Sequence, residues 1–148
     1  TPDLIWCDNL SVYGTPSYYV QQMFSRNRGD VVLPVNIGTG QAEAGKKPGL
    51  YATASRDEKS DEVIIKVVNS AAEPVDAAVQ IKGAGEIASK ADVTVLAGAK
   101  LSDENSFAEP KKVVPMSLAI EGVAPEFKYT FKPWSVTVLR IAARHGRW

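Results

Sequence analysis

The 148-residue sequence has a single cysteine and a single histidine. One cysteine excludes a disulfide within the chain, and the lack of a His/Cys cluster argues against a zinc site of the usual kind. Cys7 has apolar neighbours, so we expect a small buried hydrophobic residue there rather than a nucleophile, which would need a nearby base. His145 is three residues from the C-terminus, where a frayed tail is expected. The sequence therefore predicts no metal site and no cofactor.

The sequence also lacks net charge and long hydrophobic runs. Seventeen Lys and Arg residues balance seventeen Asp and Glu residues. Because no basic cluster breaks this balance, neither nucleic acid nor a membrane surface is a predicted partner. No apolar run approaches the roughly 20 residues of a membrane-spanning helix. There is no signal-peptide pattern, and the chain begins at Thr1 without an initiator methionine, so we expect a mature or truncated product.

The first 29 residues have the pattern of a short strand, a loop and a helix. Leu4–Cys7 form a brief apolar run, which is typical of a strand covered on both faces. Thr15 is a suitable helix N-cap and Pro16 a suitable first helical residue, while Gly29 is expected to end the helix. One face of this helix comprises Val20, Met23, Phe24 and Asn27. Such a unit needs parallel neighbours, and the rest of the chain offers none.

The remaining sequence predicts short antiparallel strands. About eight segments with apolar or alternating patterns are separated by turns rich in Gly and Pro: 30–37, 50–55, 62–69, 75–82, 91–97, 113–120, 127–132 and 135–141. Exposed loops are expected at 38–49 and 98–112. The predicted fold class is mainly β, an antiparallel β-sandwich of jelly-roll or Greek-key type preceded by one strand–loop–helix unit. The predicted domain boundary separates residues 1–29 from residues 30–148.

Motifs at both ends of the chain resemble α-L-arabinofuranosidases of glycoside hydrolase family fifty-one. Asp3–Asn9, followed by Tyr13–Gln21 and Met23–Phe24, resembles the last strand, loop and helix of the catalytic (β/α)8 barrel. Phe131–Arg140 resembles the final strand of the β-sandwich that follows the barrel. The resemblance implies that the chain is the C-terminal region of a longer enzyme, with residues 1–29 left over from its barrel.

The resemblance also implies an activity for the parent protein. The parent would be a retaining glycoside hydrolase that removes terminal arabinofuranosyl residues from arabinan- or arabinoxylan-type polysaccharides. Its two catalytic glutamates would lie on earlier barrel strands, so no catalytic residue is expected in this chain. The chain itself is expected to have a structural role. The implied partners are the missing barrel and, in the parent, the polysaccharide. If the parent is secreted, a bacterial periplasmic or extracellular location is expected.

The resemblance has structural consequences for a chain without its barrel. In the family, the sandwich is completed by a strand from before the barrel. We therefore expect an exposed sheet edge here, or an edge repaired by the N-terminal segment or by pairing between chains in a homo-oligomer. The strand at residues 4–8 has lost its parallel neighbours, so it should be recruited elsewhere or disordered. A bare apolar patch around Val20, Met23 and Phe24 would favour the enzyme-fragment interpretation.

Two sets of residues are candidates for contact with sugar. Asn9 and Tyr13 follow a strand that would end at the active-site face of a barrel, so they could border the arabinose pocket. Alternatively, Asp8 and Asn9 only cap the loop, and Tyr18 and Tyr19 pack the helix. In a sugar-binding module, aromatic rings would stack on sugar C–H faces, and Trp134 is the candidate because Phe127, Tyr129 and Phe131 share one strand face typical of core. A structural domain without a sugar role is the third hypothesis.

Overall fold

The computed structural model describes residues 3–38 and 49–144, which contain ten strands and one helix. In chain order they are β1 (Ile5–Cys7), β2 (Val12–Gly14), α1 (Pro16–Arg26), β3 (Val31–Leu33), β4 (Leu50–Asp57), β5 (Glu62–Asn69), β6 (Val75–Gln80), β7 (Ile87–Ala97), β8 (Met116–Glu121), β9 (Glu126–Phe131) and β10 (Ser135–Ala143). His145 and nearly all of the loop predicted at 38–49 lie outside the described residues.

The strands form a large sheet, a small sheet and a separate hairpin. The large sheet has the order β3-β4-β5-β10-β7-β8, the small sheet pairs β6 with β9, and β1 pairs with β2. All pairs are antiparallel. Because β10 lies between β5 and β7, Leu139 sits opposite both Ile65 and Val93. The predicted mainly β, antiparallel fold with one helical unit is confirmed.

The main core lies between the two sheets. Side chains at alternate positions of the large sheet point inward, and Val93, Leu139 and Ile141 are completely buried there. Phe127 and Phe131 of β9 close this core from the small sheet, as the alternation in that strand predicts. Each such side chain contributes about 1.5–3 kcal/mol through burial. This core therefore holds the two sheets together.

The other face of the large sheet is also apolar and is covered by α1. Met23 is buried against Ile64, Leu96 and Val138, which point outward from β5, β7 and β10. Val20 and Phe24 pack against the same cluster. The apolar patch on the helix is therefore covered by the large sheet. The bare patch that would have favoured the enzyme-fragment interpretation is not observed. The reason is that the outward positions of the central strands are themselves hydrophobic and need a cover.

The N-terminal segment departs from its sequence pattern in two ways. Leu4–Cys7 is not a buried strand: Ile5 is 52% exposed and Cys7 is exposed. The prediction of a buried Cys7 is wrong because β1 is recruited into a hairpin with β2 and none of the described residues forms a layer over its outer face. Gly29 does not end the helix, which stops at Arg26 with Asn27 as the C-cap. Instead, a Cβ at Gly29 would lie 2.5 Å from the Arg56 carbonyl oxygen.

Several predicted boundaries shift by a few residues. The strand predicted at 30–37 is confined to β3, and the one predicted at 91–97 begins earlier, at Ile87. The strand predicted at 113–120 begins only at Met116, although Val113 is buried. Within residues 3–38 and 49–144, β3, β8 and both strands of the small sheet have an unpaired edge. The expected exposed edge is therefore present, and the β1–β2 hairpin does not repair it.

We predict that Met23→Ala lowers the free energy of unfolding of the whole chain by about 2–5 kcal/mol, because it leaves a cavity between α1 and the large sheet. Urea unfolding followed by circular dichroism measures this change, and one shared transition is expected for helix and strands. Gln21→Ala, an exposed position on the same helix, is the matched control. An equal, small effect of both substitutions would show that the helix is not part of the sandwich's cooperative unit.

Candidate functional site

The turn of the β1–β2 hairpin is closed by Asp8. The carboxylate Oδ1 of Asp8 accepts hydrogen bonds from the backbone N–H groups of Leu10 (2.8 Å) and Ser11 (2.6 Å). Asn9 is exposed at the tip of this turn. The hydrogen bonds of Asp8 match the alternative in which this residue caps the loop. The side chain of Asn9 is thereby left at the surface.

Tyr13 lies in β2 and faces the sandwich. Its ring packs edge-to-face against Phe107, with ring centres 4.9 Å apart and planes at 89°. Phe107 belongs to the segment between β7 and β8. Trp6 is directly opposite Tyr13 across the hairpin, so the two rings share a face. The other face carries Ile5, Cys7 and Val12, all exposed. The hairpin therefore has one face toward the sandwich and one apolar face toward solvent.

The residues after Tyr13 join the hairpin to the helix. The backbone N–H of Thr15 donates to the Leu4 carbonyl (2.9 Å), and its hydroxyl accepts from the Tyr18 N–H (3.3 Å) as the predicted N-cap. The ring of Tyr18 covers Gly14 so closely that a Cβ there would lie 2.5 Å from a ring carbon. The Tyr18 hydroxyl in turn accepts from the amide of Gln22 (3.0 Å). Gly14, Thr15 and Tyr18 of this motif therefore each have a local structural reason.

Asn105, in the segment between β7 and β8, also connects the hairpin to the sandwich. Its side chain is buried, and its Nδ2 donates to the carbonyls of Gly14 (2.8 Å) and Val113 (2.9 Å). Its Oδ1 accepts from the Val113 N–H (2.7 Å). Asn105 belongs to the segment predicted as an exposed polar loop, and that prediction is wrong for this residue. Its polar neighbours gave no signal, because the partner carbonyl of Gly14 is distant in sequence.

Two cations of the large sheet hold the C-terminal end of α1. Arg140 on β10 donates to the Asn27 side chain (3.3 Å) and to the carboxylates of Asp57 and Glu62. Lys66 on β5 donates to the Phe24 carbonyl (3.3 Å) and lies over the Phe24 ring. Positive charge is favourable at this end of a helix. The only signal for this arrangement in the sequence is that each of these two largely apolar strands has one cation at an outward position.

These contacts shift the pKa values of the charged groups. The Ser60 backbone N–H and, to a smaller extent, the Lys59 N–H and Arg140 hold the pKa of Asp57 below its ordinary value. The hydrogen bond to Glu62 is the main reason that the pKa of Arg140 is raised. Burial lowers the pKa of the Lys66 ammonium group. The carboxylate of Asp57 is thus an ionised partner of Arg140. Its lowered pKa is the opposite of the raised pKa that a general acid needs.

Trp134 lies in the turn between β9 and β10. It is half-buried, its φ is +43°, and its backbone N–H donates to the Ala71 carbonyl (3.1 Å). The ring pairs in the described residues meet at 59–89° rather than in one plane, and Trp134 is in none of them. A concavity on the polar face of the small sheet is open to solvent and is lined by Asp76, Ala77, Ala78, Lys128 and Thr130. None of Asn9, Tyr13 and Trp134 lines it.

The described residues contain neither a cluster of metal-ligating side chains nor a membrane-spanning helix. Across 3–38 and 49–144, no three His, Cys, Asp or Glu side chains come together as a metal ion would require. The only helix in these ranges, α1, has 11 residues, and no helix there is long and apolar enough to span a membrane. The polar side chains described above, such as Asn105, Arg140 and Lys66, join one structural element to another.

Residues 1–135 match the family model of the α-L-arabinofuranosidase C-terminal domain. The chain is 31% identical over 139 residues to α-L-arabinofuranosidase 1 of Arabidopsis thaliana, covering 90% of this chain and 20% of that protein. It is 33% identical over 141 residues to α-L-arabinofuranosidase A of Aspergillus niger, covering 94% of this chain and 20% of that protein. The chain thus spans about one fifth of the length of these curated relatives.

Solved structures agree with these matches. An arabinose-bound GH51 α-L-arabinofuranosidase aligns with a TM-score of 0.86 at 25% identity, over 97% of this chain and 22% of that one. The GH51 α-L-arabinofuranosidase of Thermotoga petrophila aligns with a TM-score of 0.75 at 24% identity, over 92% of this chain and 31% of that one, a likeness of fold. The chain corresponds to only part of each of these larger proteins.

We predict that Asp57 stabilises the fold in a pH-dependent way. Because its folded pKa is depressed, the stabilisation is present above the ordinary pKa of 3.8 and is lost as the pH falls through the folded value. The difference in unfolding free energy between the wild type and Asp57→Asn, measured in urea at a series of pH values, should therefore vanish in strong acid.

Two variants sharpen this test. Glu58→Gln makes the same charge change one residue away in an exposed position and corrects for net charge. In an Arg140→Met background the pH-dependent difference should shrink without disappearing, since the Ser60 amide is the largest cause of the lowered pKa and Arg140 a smaller one. A difference that stays constant down to low pH would contradict the role of the ionised carboxylate.

Proposed function

The chain belongs to the family of α-L-arabinofuranosidase C-terminal domains, and from this premise we propose that it completes a retaining arabinofuranosidase without catalysing the reaction itself. The parent would remove terminal arabinofuranosyl residues from arabinan- or arabinoxylan-type polysaccharides. The resemblance drawn from the two end motifs is confirmed by the family match. The observation that carries the proposal is that this match covers residues 1–135 while the chain covers about a fifth of its named relatives.

The carboxylates of the described residues support a non-catalytic role. A retaining glycosidase needs two carboxyl groups about 5 Å apart, one of them protonated as the acid. Asp57 and Glu62 come together, but both bind Arg140. The pKa of Asp57 is lowered, whereas an acid would need it raised. These two groups are therefore better suited to anchoring α1 than to chemistry.

The exposed face of the hairpin supports a structural partnership with the missing barrel. Ile5 of β1 is 52% exposed, Val12 of β2 is 65% exposed and Leu10 in the turn between them is 95% exposed, so the hairpin has an apolar surface that no described residue covers. Such surfaces mark contact sites. We propose that the barrel covers this face, that the domain boundary lies between Gly29 and Asp30, and that Asn9 and Tyr13 then border the arabinose pocket. The free sheet edges leave pairing between chains in a homo-oligomer as a further proposal.

We predict that this chain does not hydrolyse 4-nitrophenyl α-L-arabinofuranoside, whereas the full-length protein hydrolyses it with retention, as proton NMR of the first-formed sugar would report. In the full-length protein, Glu104→Gln and Glu121→Gln, which change exposed side chains, should leave kcat unchanged. Hydrolysis by the isolated chain, or loss of activity in either variant, would overturn the non-catalytic assignment.

A sugar-binding module is the competing function, and Trp134 is its candidate residue. We expect calorimetric titration of the chain with arabinoxylan and arabinan oligosaccharides to give no saturable heat, because Trp134 is half-buried and has no ring beside it among the described residues. Saturable binding that is lost in Trp134→Ala and kept in Tyr51→Ala, a substitution of an exposed ring elsewhere on the sandwich, would replace the structural role with a binding one.

A further inference from the structure

The segment between β7 and β8 contacts the hairpin at two consecutive positions. Asn105 donates to the Gly14 carbonyl, and Phe107, two residues later, packs on the ring of Tyr13, the residue before Gly14. The same Asn105 amide closes its own loop by two hydrogen bonds with Val113. The loop is therefore fixed to itself before it reaches the hairpin, which makes it a rigid support for β2.

The two contacts differ in what else they do. Asn105 is buried and its side chain has partners for both donor hydrogens and for its acceptor, so its loss would also open the loop. Phe107 is 44% exposed and lies in neither of the hydrophobic clusters formed by the sheets and the helix. The contact with Tyr13 is thus the main structural reason for an aromatic residue at position 107.

We propose that Asn105 and Phe107 are positioning residues of the parent arabinofuranosidase. They hold Gly14 and Tyr13 in place, and thereby set the position of the Asp8–Tyr13 segment at the border of the arabinose pocket. The inference rests on the proposed function, because it takes the hairpin to face that pocket. In this arrangement the sandwich influences substrate recognition without touching the sugar.

The geometry of the hairpin makes this support effective. The tip is closed by Asp8 on itself, and the face with Ile5 and Val12 has no cover among the described residues. Within the described residues, the sandwich side therefore supplies the external restraint on β2. A small displacement of a group at the border of the pocket weakens its contact with the bound substrate, because part of the binding free energy is then needed to restore its position. Loss of the aromatic contact should appear first in substrate binding.

The test uses Phe107→Ala in the full-length enzyme, because this side chain is exposed enough for the fold to tolerate its removal. We expect kcat/KM for 4-nitrophenyl α-L-arabinofuranoside to fall about two- to tenfold, the range that an aromatic pair is worth, mainly through KM, while the circular dichroism spectrum stays that of the wild type. Phe107→Tyr keeps the ring and should restore the wild-type value. Leu101→Ala, at a 75% exposed position of the same segment, is the matched control and should have no effect.

Unchanged kinetics in Phe107→Ala, or an equal loss in Leu101→Ala, would overturn the inference. A wild-type enzyme without arabinofuranosidase activity would instead overturn the proposed function. The positioning contact is then tested in this chain by hydrogen exchange, where the amides of Val12–Gly14 should exchange faster in Phe107→Ala than in Leu101→Ala. Equal exchange in the two variants would show that Phe107 does not hold the hairpin.

Discussion

The structure depends on one constraint: the large sheet is hydrophobic on both faces. The central strand β10 presents Leu139 and Ile141 to the inner core and Val138 to the outer one, and all three are buried. A sheet of this kind needs a layer on each side. The small sheet supplies one layer, and α1 with Val113 supplies the other. The three-layer arrangement follows directly from the side chains of the central strands.

The outer layer is held by charge as well as by apolar contact. Arg140 and Lys66 come from strands of the large sheet and reach the C-terminal end of α1, where cations stabilise exposed carbonyls. Asn105 and Phe107 hold the hairpin that precedes the helix. The N-terminal segment is thus attached to the sandwich at both ends of the helix. Its apolar face is buried, and its polar attachments give it a defined orientation.

Much of the sandwich follows from local patterns. The alternation in Glu126–Phe131 reports which side chains are buried, and Thr15-Pro16 marks the start of the helix. The environment of Cys7 does not follow, because an apolar run looks the same whether or not a second layer covers it. The burial of Asn105 depends on a carbonyl 91 residues away in sequence. The proposed roles of Asn9, Tyr13 and Trp134 in sugar contact rest on the resemblance and on residue chemistry, and they remain proposals.

The position of α1 has a consequence for how such enzymes can be divided. By resemblance, residues 1–29 belong to the barrel, yet the buried face of their helix belongs to the sandwich. A gene segment beginning at Asp30 would encode strands whose Ile64, Leu96 and Val138 face water, a surface prone to self-association. A barrel ending before the helix would lose its last element. The physical module therefore overlaps the sequence boundary, so exchange of this domain between enzymes has to carry the helix along with the strands.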